Sequence, residues 1–336
     1  MTTLEHACHV CMCIDKFIKR IVAPDLDLEQ IKKSNSKEIA SQLHDYTYGI
    51  NTDPLLPLAL IFSGLIHDVD HRGCSNIQLG KEDPAMAKLY NDKSIAEQNS
   101  LDSSWALLMG PDYQQLRNTM FGSPSELEHF RQLVVNVVLA TDIFDKALNG
   151  ARRARWNKAF DVESPENANA DLRATIVIEH IIQASDVSHT MQHWHVYRKY
   201  NKRLFKELHL AFKDGRMGAN PSTFWYKGEL GFFDNYVIPL AEKLKACNVF
   251  GVSSDECLIY ALQNRAEWEA RGLEIVNEMI EEVNSGVDEE EESELRKMLD
   301  ETESTAAETE EYTTTTNSGF FSNAMKKQGN QNFLAI

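Results

Sequence analysis

Leu65-Ile66-His67-Asp68-Val69-Asp70-His71 closes the longest apolar run of the chain, Leu55 to Ile66, and its reading decides the fold. The run has the length of a core helix, interrupted by Pro57, Ser63 and Gly64, and it ends in adjacent His and Asp. A neutral imidazole suits zinc, and a carboxylate can bridge two metals. A bare His-Asp pair is common, and on its own it reads more readily as a helix C-terminus with a local hydrogen bond. Three further residues raise its weight: His6, upstream in an apolar helical pattern; His71, one helical turn beyond the pair; and Asp186, in Gln183-Ala184-Ser185-Asp186-Val187-Ser188-His189. Together they predict a metal centre assembled from three separate helices.

Apolar periodicity is helical on either side of this stretch. Val10, Ile14, Phe17, Ile18 and Ile21 form a stripe that stops before Pro24. Leu127, Phe130, Val134, Val137 and Val138 form another, and residues from about Leu172 to Ala184 a third. Trp194, Tyr197, Leu204, Phe205 and Leu208 continue the pattern, followed by Leu230, Phe233, Tyr236, Val237, Leu240 and Leu244. A long helix is expected from about Asp255 to Glu282. No alternating strands are evident, so the fold class is all-α, a multi-helix domain around one apolar core. Gly49 to Pro54, Gly80 to Pro84, Gly122-Ser123-Pro124 and Lys213 to Pro221 read as loops.

Composition sets the remaining bounds. The chain has 336 residues, 43% hydrophobic, and a formal charge of −17. Glu281 to Glu311 alone carries 14 acidic and 2 basic residues, so the rest is only mildly acidic. The division expected is a domain over 1–283 and an acidic, Thr-rich disordered tail over 284–336. No basic stripe offsets the acidity, which argues against nucleic acid as a partner. No bilayer-length apolar run and no signal peptide are present, and Cys8, Cys11, Cys13, Cys74, Cys247 and Cys257 read as reduced thiols of a cytoplasmic protein.

His6, His67, Asp68 and Asp186 offer two imidazoles and two carboxylates, a good set for zinc. A second oxygen on Asp68 is free to bridge to a cation with few protein ligands, which suits magnesium or manganese. Such a pair fits hydrolysis of a phosphate ester. Glu97 and Asp142 read as acids that orient metal-bound water, or equally as solvated charges on helix faces.

At this point the residues resemble a family, the class I 3′,5′-cyclic nucleotide phosphodiesterases. The resemblance rests on Glu5-His6-Ala7, Thr47-Tyr48-Gly49-Ile50, Ile66 to Gly73, Leu89 to Ser94, Leu139-Ala140-Thr141-Asp142, Ala184 to Ser188 and Gly231-Phe232-Phe233-Asp234, in the family's order. The wording around Glu229 and Asp186 is most similar to protist and algal members. Some of these are fused to a membrane guanylate cyclase, and nothing in this chain decides whether it shares such a fusion or association. The resemblance implies an HD-type helical domain holding zinc and magnesium, with cAMP or cGMP as substrate. It implies His6, His67, Asp68 and Asp186 as metal ligands, His71 beside the bridging water, and Phe232 stacked on the purine. His189 joins the expected substrate-binding residues.

Three departures stand out. The family's general-acid histidine falls at Thr2, and the helices that normally precede it are missing, as in an N-terminally truncated domain. That truncation is expected to expose the Val10–Ile14–Phe17 stripe. The purine-pairing glutamine is Glu229, which when ionised only accepts hydrogen bonds. An Asn-His-His expected after Glu97 reads Gln98-Asn99-Ser100. Two functions stay open: hydrolysis of cyclic nucleotides, favoured by the ligand set, and an impaired metal- and nucleotide-binding module, favoured by Thr2. A third, some other HD-type phosphohydrolase, is opposed by the block around Phe232.

Overall fold

The computed structural model describes residues 4–21, 36–160, 170–251 and 254–285, and no strand occurs among them. Thr2 and residues 286–336 lie outside the described residues. The elements are α1 (Leu4–Arg20), α2 (Ser36–Tyr46), α3 (Leu55–Ile66), α4 (Asn76–Glu82), α5 (Pro84–Leu89), α6 (Ile95–Met109) and α7 (Gln114–Met120). They continue with α8 (Pro124–Leu139), α9 (Lys146–Phe160), α10 (Ala170–Asp186), α11 (Trp194–Lys213), α12 (Trp225–Phe232), α13 (Ile238–Ala246) and α14 (Glu256–Ser285). The last helix reaches Ser285, so a domain boundary at 283 falls inside its final turn.

α3 explains why its sequence is apolar all round. Leu56 and Leu60 face a large core with Val10 and Ile14 of α1, Ile178 and Ile182 of α10, and Trp268 of α14. Ala59 and Ile66 face a second core with Leu101 and Trp105 of α6 and Phe130 and Val134 of α8. A helix between two cores needs apolar residues on two opposite sides, while its Leu58 and Leu65 remain exposed. The expected exposure of the α1 stripe is corrected: Val10 and Ile14 are 0% exposed and Phe17 is 8% exposed. They bury against α3, and the apolar residues left in solvent on α1 are Leu4 and Met12.

Gly64 sets how closely α1 and α3 approach. A Cβ there would lie 2.5 Å from Ile14 Cδ1 and 3.3 Å from Val10 Cγ1. The same close approach recurs at Gly272 of α14, where a Cβ would meet Trp268 and Tyr226 at 2.8–2.9 Å.

Two breaks differ from the sequence reading. Gly80, Lys81 and Glu82 are helical, and the break between α4 and α5 is Asp83 alone, whose carboxylate accepts the Met86 N–H at 2.9 Å. The stripe from Leu230 to Leu244 is not one α-helix, because a π-helical turn over Phe233–Val237 separates α12 from α13. π-turns cluster at functional sites.

Candidate metal centre

α3 ends at Ile66, and the backbone turns through His67 to Asp70, where φ reaches +57°. His71 therefore follows a turn, not a further helical turn, and its Nδ1 accepts the Gly73 N–H at 3.2 Å. Ser100 fastens this turn from α6, its Oγ donating to Val69 O at 2.6 Å.

The close approach at Gly64 brings His6 of α1 onto the turn. His6 Nε2 lies 3.1 Å from Asp186 Oδ1 and 3.9 Å from Asp68 Oδ2. His67 Nε2 lies 3.5 Å from both Asp68 Oδ2 and Asp186 Oδ1. Ligand atoms of His6, His67 and Asp68 all lie within 4.8 Å of one another, and Asp186 joins them through the two imidazoles. Zinc with bonds of about 2.0–2.1 Å holds tetrahedral ligand atoms about 3.3 Å apart. The observed spacings bracket that edge, so the residues fit a divalent cation.

The tautomer fits as well. His67 Nδ1–H donates to Gly64 O at 2.9 Å, which leaves Nε2 as the ring nitrogen that faces the acids and would ligate a cation in place of its proton. Burial alone would depress the His67 pKa, but the Asp68 and Asp186 charges raise it to about 9. Burial works against charge on Asp186, yet hydrogen bonds from His6 and His67 hold its carboxyl far below the usual range. Such a site concentrates negative charge at imidazoles, and a bound cation satisfies it.

A second acidic cluster adjoins this one. Asn76 Nδ2 donates to Glu97 Oε2 at 3.0 Å and lies 3.5 Å from Asp142 Oδ2, which also accepts Ser94 O–H at 2.7 Å. Asp142 Oδ1 accepts the Phe144 and Asp145 N–H groups at 3.1 Å each. Burial first, then the Asp142 charge and that of Asp68, raise Glu97 to about 7. Asn91, Asp92 and Ser94 all have positive φ, so the loop that delivers Ser94 is a strained one. Gln98 braces it, with Nε2 donating to Lys93 O at 2.5 Å. Gln98 and Ser100, which stand where an asparagine and the second histidine were expected, thus both serve backbone carbonyls.

Glu229 and Phe232 sit on α12. Glu229 is buried, and its Oε2 accepts Tyr197 O–H at 2.7 Å. Burial raises it to about 7. Phe232 is partly exposed and stacks on Tyr236 of the π-turn with centroids 5.3 Å apart. His189 is buried on the turn after α10 and stacks on Tyr200 at 5.2 Å; burial, with His6 nearby, lowers it to about 3. Gly64, Asn76 and Arg152 carry no signal in the sequence, since a glycine, an amide and one arginine among many have no telling spacing. The six cysteines are free, and Cys13 of α1 donates to Ser188 Oγ at 3.2 Å. Among the described residues no helix is long and apolar enough to cross a membrane.

An all-helical domain that ends an apolar helix in a His-Asp pair and completes it from two other helices is an HD-type, metal-dependent phosphohydrolase fold. A family model described as 3′5′-cyclic nucleotide phosphodiesterase matches residues 5–253, and the chain belongs to that family. A probable 3′,5′-cyclic phosphodiesterase of Caenorhabditis elegans is 25% identical over 235 residues, 66% of this chain and 33% of that protein. A probable 3′,5′-cyclic-AMP phosphodiesterase of the same organism is 28% identical over 201 residues, 55% of this chain and 28% of that protein. The chain thus spans about a third of the length of these relatives. The phosphodiesterase domain of a rhodopsin phosphodiesterase fusion from the choanoflagellate Salpingoeca rosetta shares the fold, with TM-score 0.58 and 20% identity over 82% of this chain and 78% of that one. Family membership implies dependence on a divalent metal.

Proposed function

We propose that this chain hydrolyses 3′,5′-cyclic nucleotides to 5′-nucleotides, with zinc held by His6, His67, Asp68 and Asp186 and magnesium or manganese held at Asp68. The observation that carries this reading is the convergence of His6 Nε2 and His67 Nε2 on Asp186 Oδ1, at 3.1 and 3.5 Å, from segments distant in the chain. When bound, the cations neutralise the phosphate and lower the pKa of water into the neutral range.

The chain's own residues supply order and proton handling. Gly64 O holds His67 in the ligating tautomer. Asn76 occupies Glu97 Oε2, leaving Oε1 to take or give a proton, whereas N–H and O–H donors fill both oxygens of Asp142. Two adjacent carboxyls with unlike surroundings divide the roles in this way. His71 borders the metals, and His189 closes the wall behind His6. Phe232 stacks on the purine, and Glu229 accepts from its edge. Free thiols suit a reducing compartment such as the cytoplasm.

Thr2 at the general-acid position favours a second reading, a domain that binds nucleotide and turns it over slowly, because such an acid contributes about 10²–10⁴-fold. The test is release of 5′-nucleotide from cAMP and cGMP by the zinc- and magnesium-loaded chain. Hydrolysis that falls at least about 100-fold in Asp68→Ala supports the enzyme. Tight nucleotide binding without any release supports the binding domain.

A further inference from the structure

We propose that Arg152 is a positioning residue for the acid cluster, fixing the turn that carries Asp142 and through it the water shell of the second cation. The inference rests on the reading of Asp142 given above and extends it to a residue with no assigned role.

The carbonyls at the end of a helix lack intrahelical partners. At the end of α8 they are taken, one after another, by side chains. Thr141 Oγ donates to Val138 O at 2.8 Å, and Gln183 of α10 donates to Ala140 O at 2.9 Å. Arg152 of α9 takes two: Nη2 donates to Leu139 O at 2.6 Å and Nη1 to Asp142 O at 3.1 Å. The guanidinium thus bridges the last residue of the helix and the acid itself, a span that its rigid fork suits and an ammonium does not. Asn149 Oδ1 accepts from the same Nη1 at 3.1 Å and steadies the fork, while Asn149 Nδ2 donates to Ile143 O at 2.6 Å.

The clamp continues inward. One turn along α9, Arg155 pairs with buried Glu179 of α10 at 2.6 Å, so α9 is tied to the helix that also carries Asp186. On its outer side, the Asp142 carboxylate meets Ser94 and Asn76, and Asn76 also meets Glu97. A line of hydrogen bonds therefore runs from Arg152 through the Asp142 backbone to Glu97. If the turn loosens, the acids lose their fixed separation, while His6, His67, Asp68 and Asp186 keep theirs.

The experiment compares wild type, Arg152→Lys and Arg152→Met as full chains. It measures zinc content, Mn²⁺ binding by the signal of free Mn²⁺ in electron paramagnetic resonance, Tm, kcat and KM. Expected for Arg152→Met are unchanged zinc, Mn²⁺ binding weakened by about 10–100-fold, a matching fall in kcat and a KM within about twofold. Arg152→Lys should fall between the two and remains folded to judge the idea if the methionine variant does not. Mn²⁺ affinity and kcat at wild-type levels alongside a lowered Tm would reduce Arg152 to packing and overturn the proposal. The Mn²⁺ arm needs no turnover, so it judges Arg152 even if the wild-type chain hydrolyses nothing, which would instead count against the enzyme reading.

Discussion

Glu229 shows how one residue inherits its direction from its neighbours. Trp225 Nε1 is only a donor, and it gives its hydrogen to Asn201 Oδ1 at 3.2 Å. That fixes the Asn201 amide, which donates to Tyr197 Oη at 3.3 Å, and Tyr197 O–H then donates to Glu229 Oε2 at 2.7 Å. In the proposed function, the remaining oxygen of an ionised Glu229 would present an acceptor, for which guanine has two donors and adenine one. A glutamine in its place must give its carbonyl to Tyr197 and turn its amide donor outward. Glu229→Gln is therefore expected to shift the kcat/KM ratio from cGMP toward cAMP by about tenfold, one misplaced hydrogen bond. An unchanged ratio means that Glu229 does not meet the base. The same residue sets a pH dependence. Burial raises its folded pKa from 4.5 to about 7, so its contribution to stability is present below pH 4.5 and is lost as pH rises through 7. Thermal melts should show Glu229→Gln stabilised at pH 8, on the order of 2 kcal/mol, with the advantage gone by pH 4.5. At this scale the sequence reveals residues whose chemistry is rare. His6, His67, Asp68 and Asp186 stand out as an ordered His/Asp set, whereas Asn76 and Arg152 act through ordinary amide and guanidinium contacts that only the fold brings together.

The pairing of α1 with α3 decides whether the proposed metal centre can close. Gly64 lies one turn before His67, and its missing side chain lets Ile14 and Val10 approach. Gly64→Ala should push α1 outward, cost about 1–3 kcal/mol by overpacking and weaken zinc binding by moving His6 away from His67. Ile14→Val removes the methyl that would clash, so the double variant should regain zinc affinity over Gly64→Ala alone. Additive losses in the two variants, measured by zinc titration and melting, would show that the contact at Gly64 does not control the site. Helix existence was legible because the stripes of α1, α8, α10, α11 and α14 each repeat at helical spacing. The breaks were not. Asp83 interrupts the chain for a single residue, and the π-turn at Phe233–Val237 adds one residue to a turn, a change too small to disturb an apolar pattern.

Across the whole molecule, the proposed zinc ties together α1, the turn after α3 and the end of α10, segments separated by 61 and 118 residues in sequence. Metal that binds only the folded arrangement adds its binding energy to folding, about 4 kcal/mol at a thousandfold excess over Kd. Stripping the chain with a chelator should lower Tm by several degrees and re-addition of zinc should restore it. An identical melt with and without chelator would separate the centre from stability. The all-helical architecture was legible from periodicity, while the two-core arrangement around α3 was not, because an apolar run does not say how many cores it serves. The most direct test is elemental analysis of zinc in the purified chain and in Asp186→Ala, with helical circular dichroism recorded on both. The account predicts about one tightly held zinc per wild-type chain, and little zinc in a variant that keeps its helical signal at low temperature. Full zinc occupancy in Asp186→Ala would contradict it.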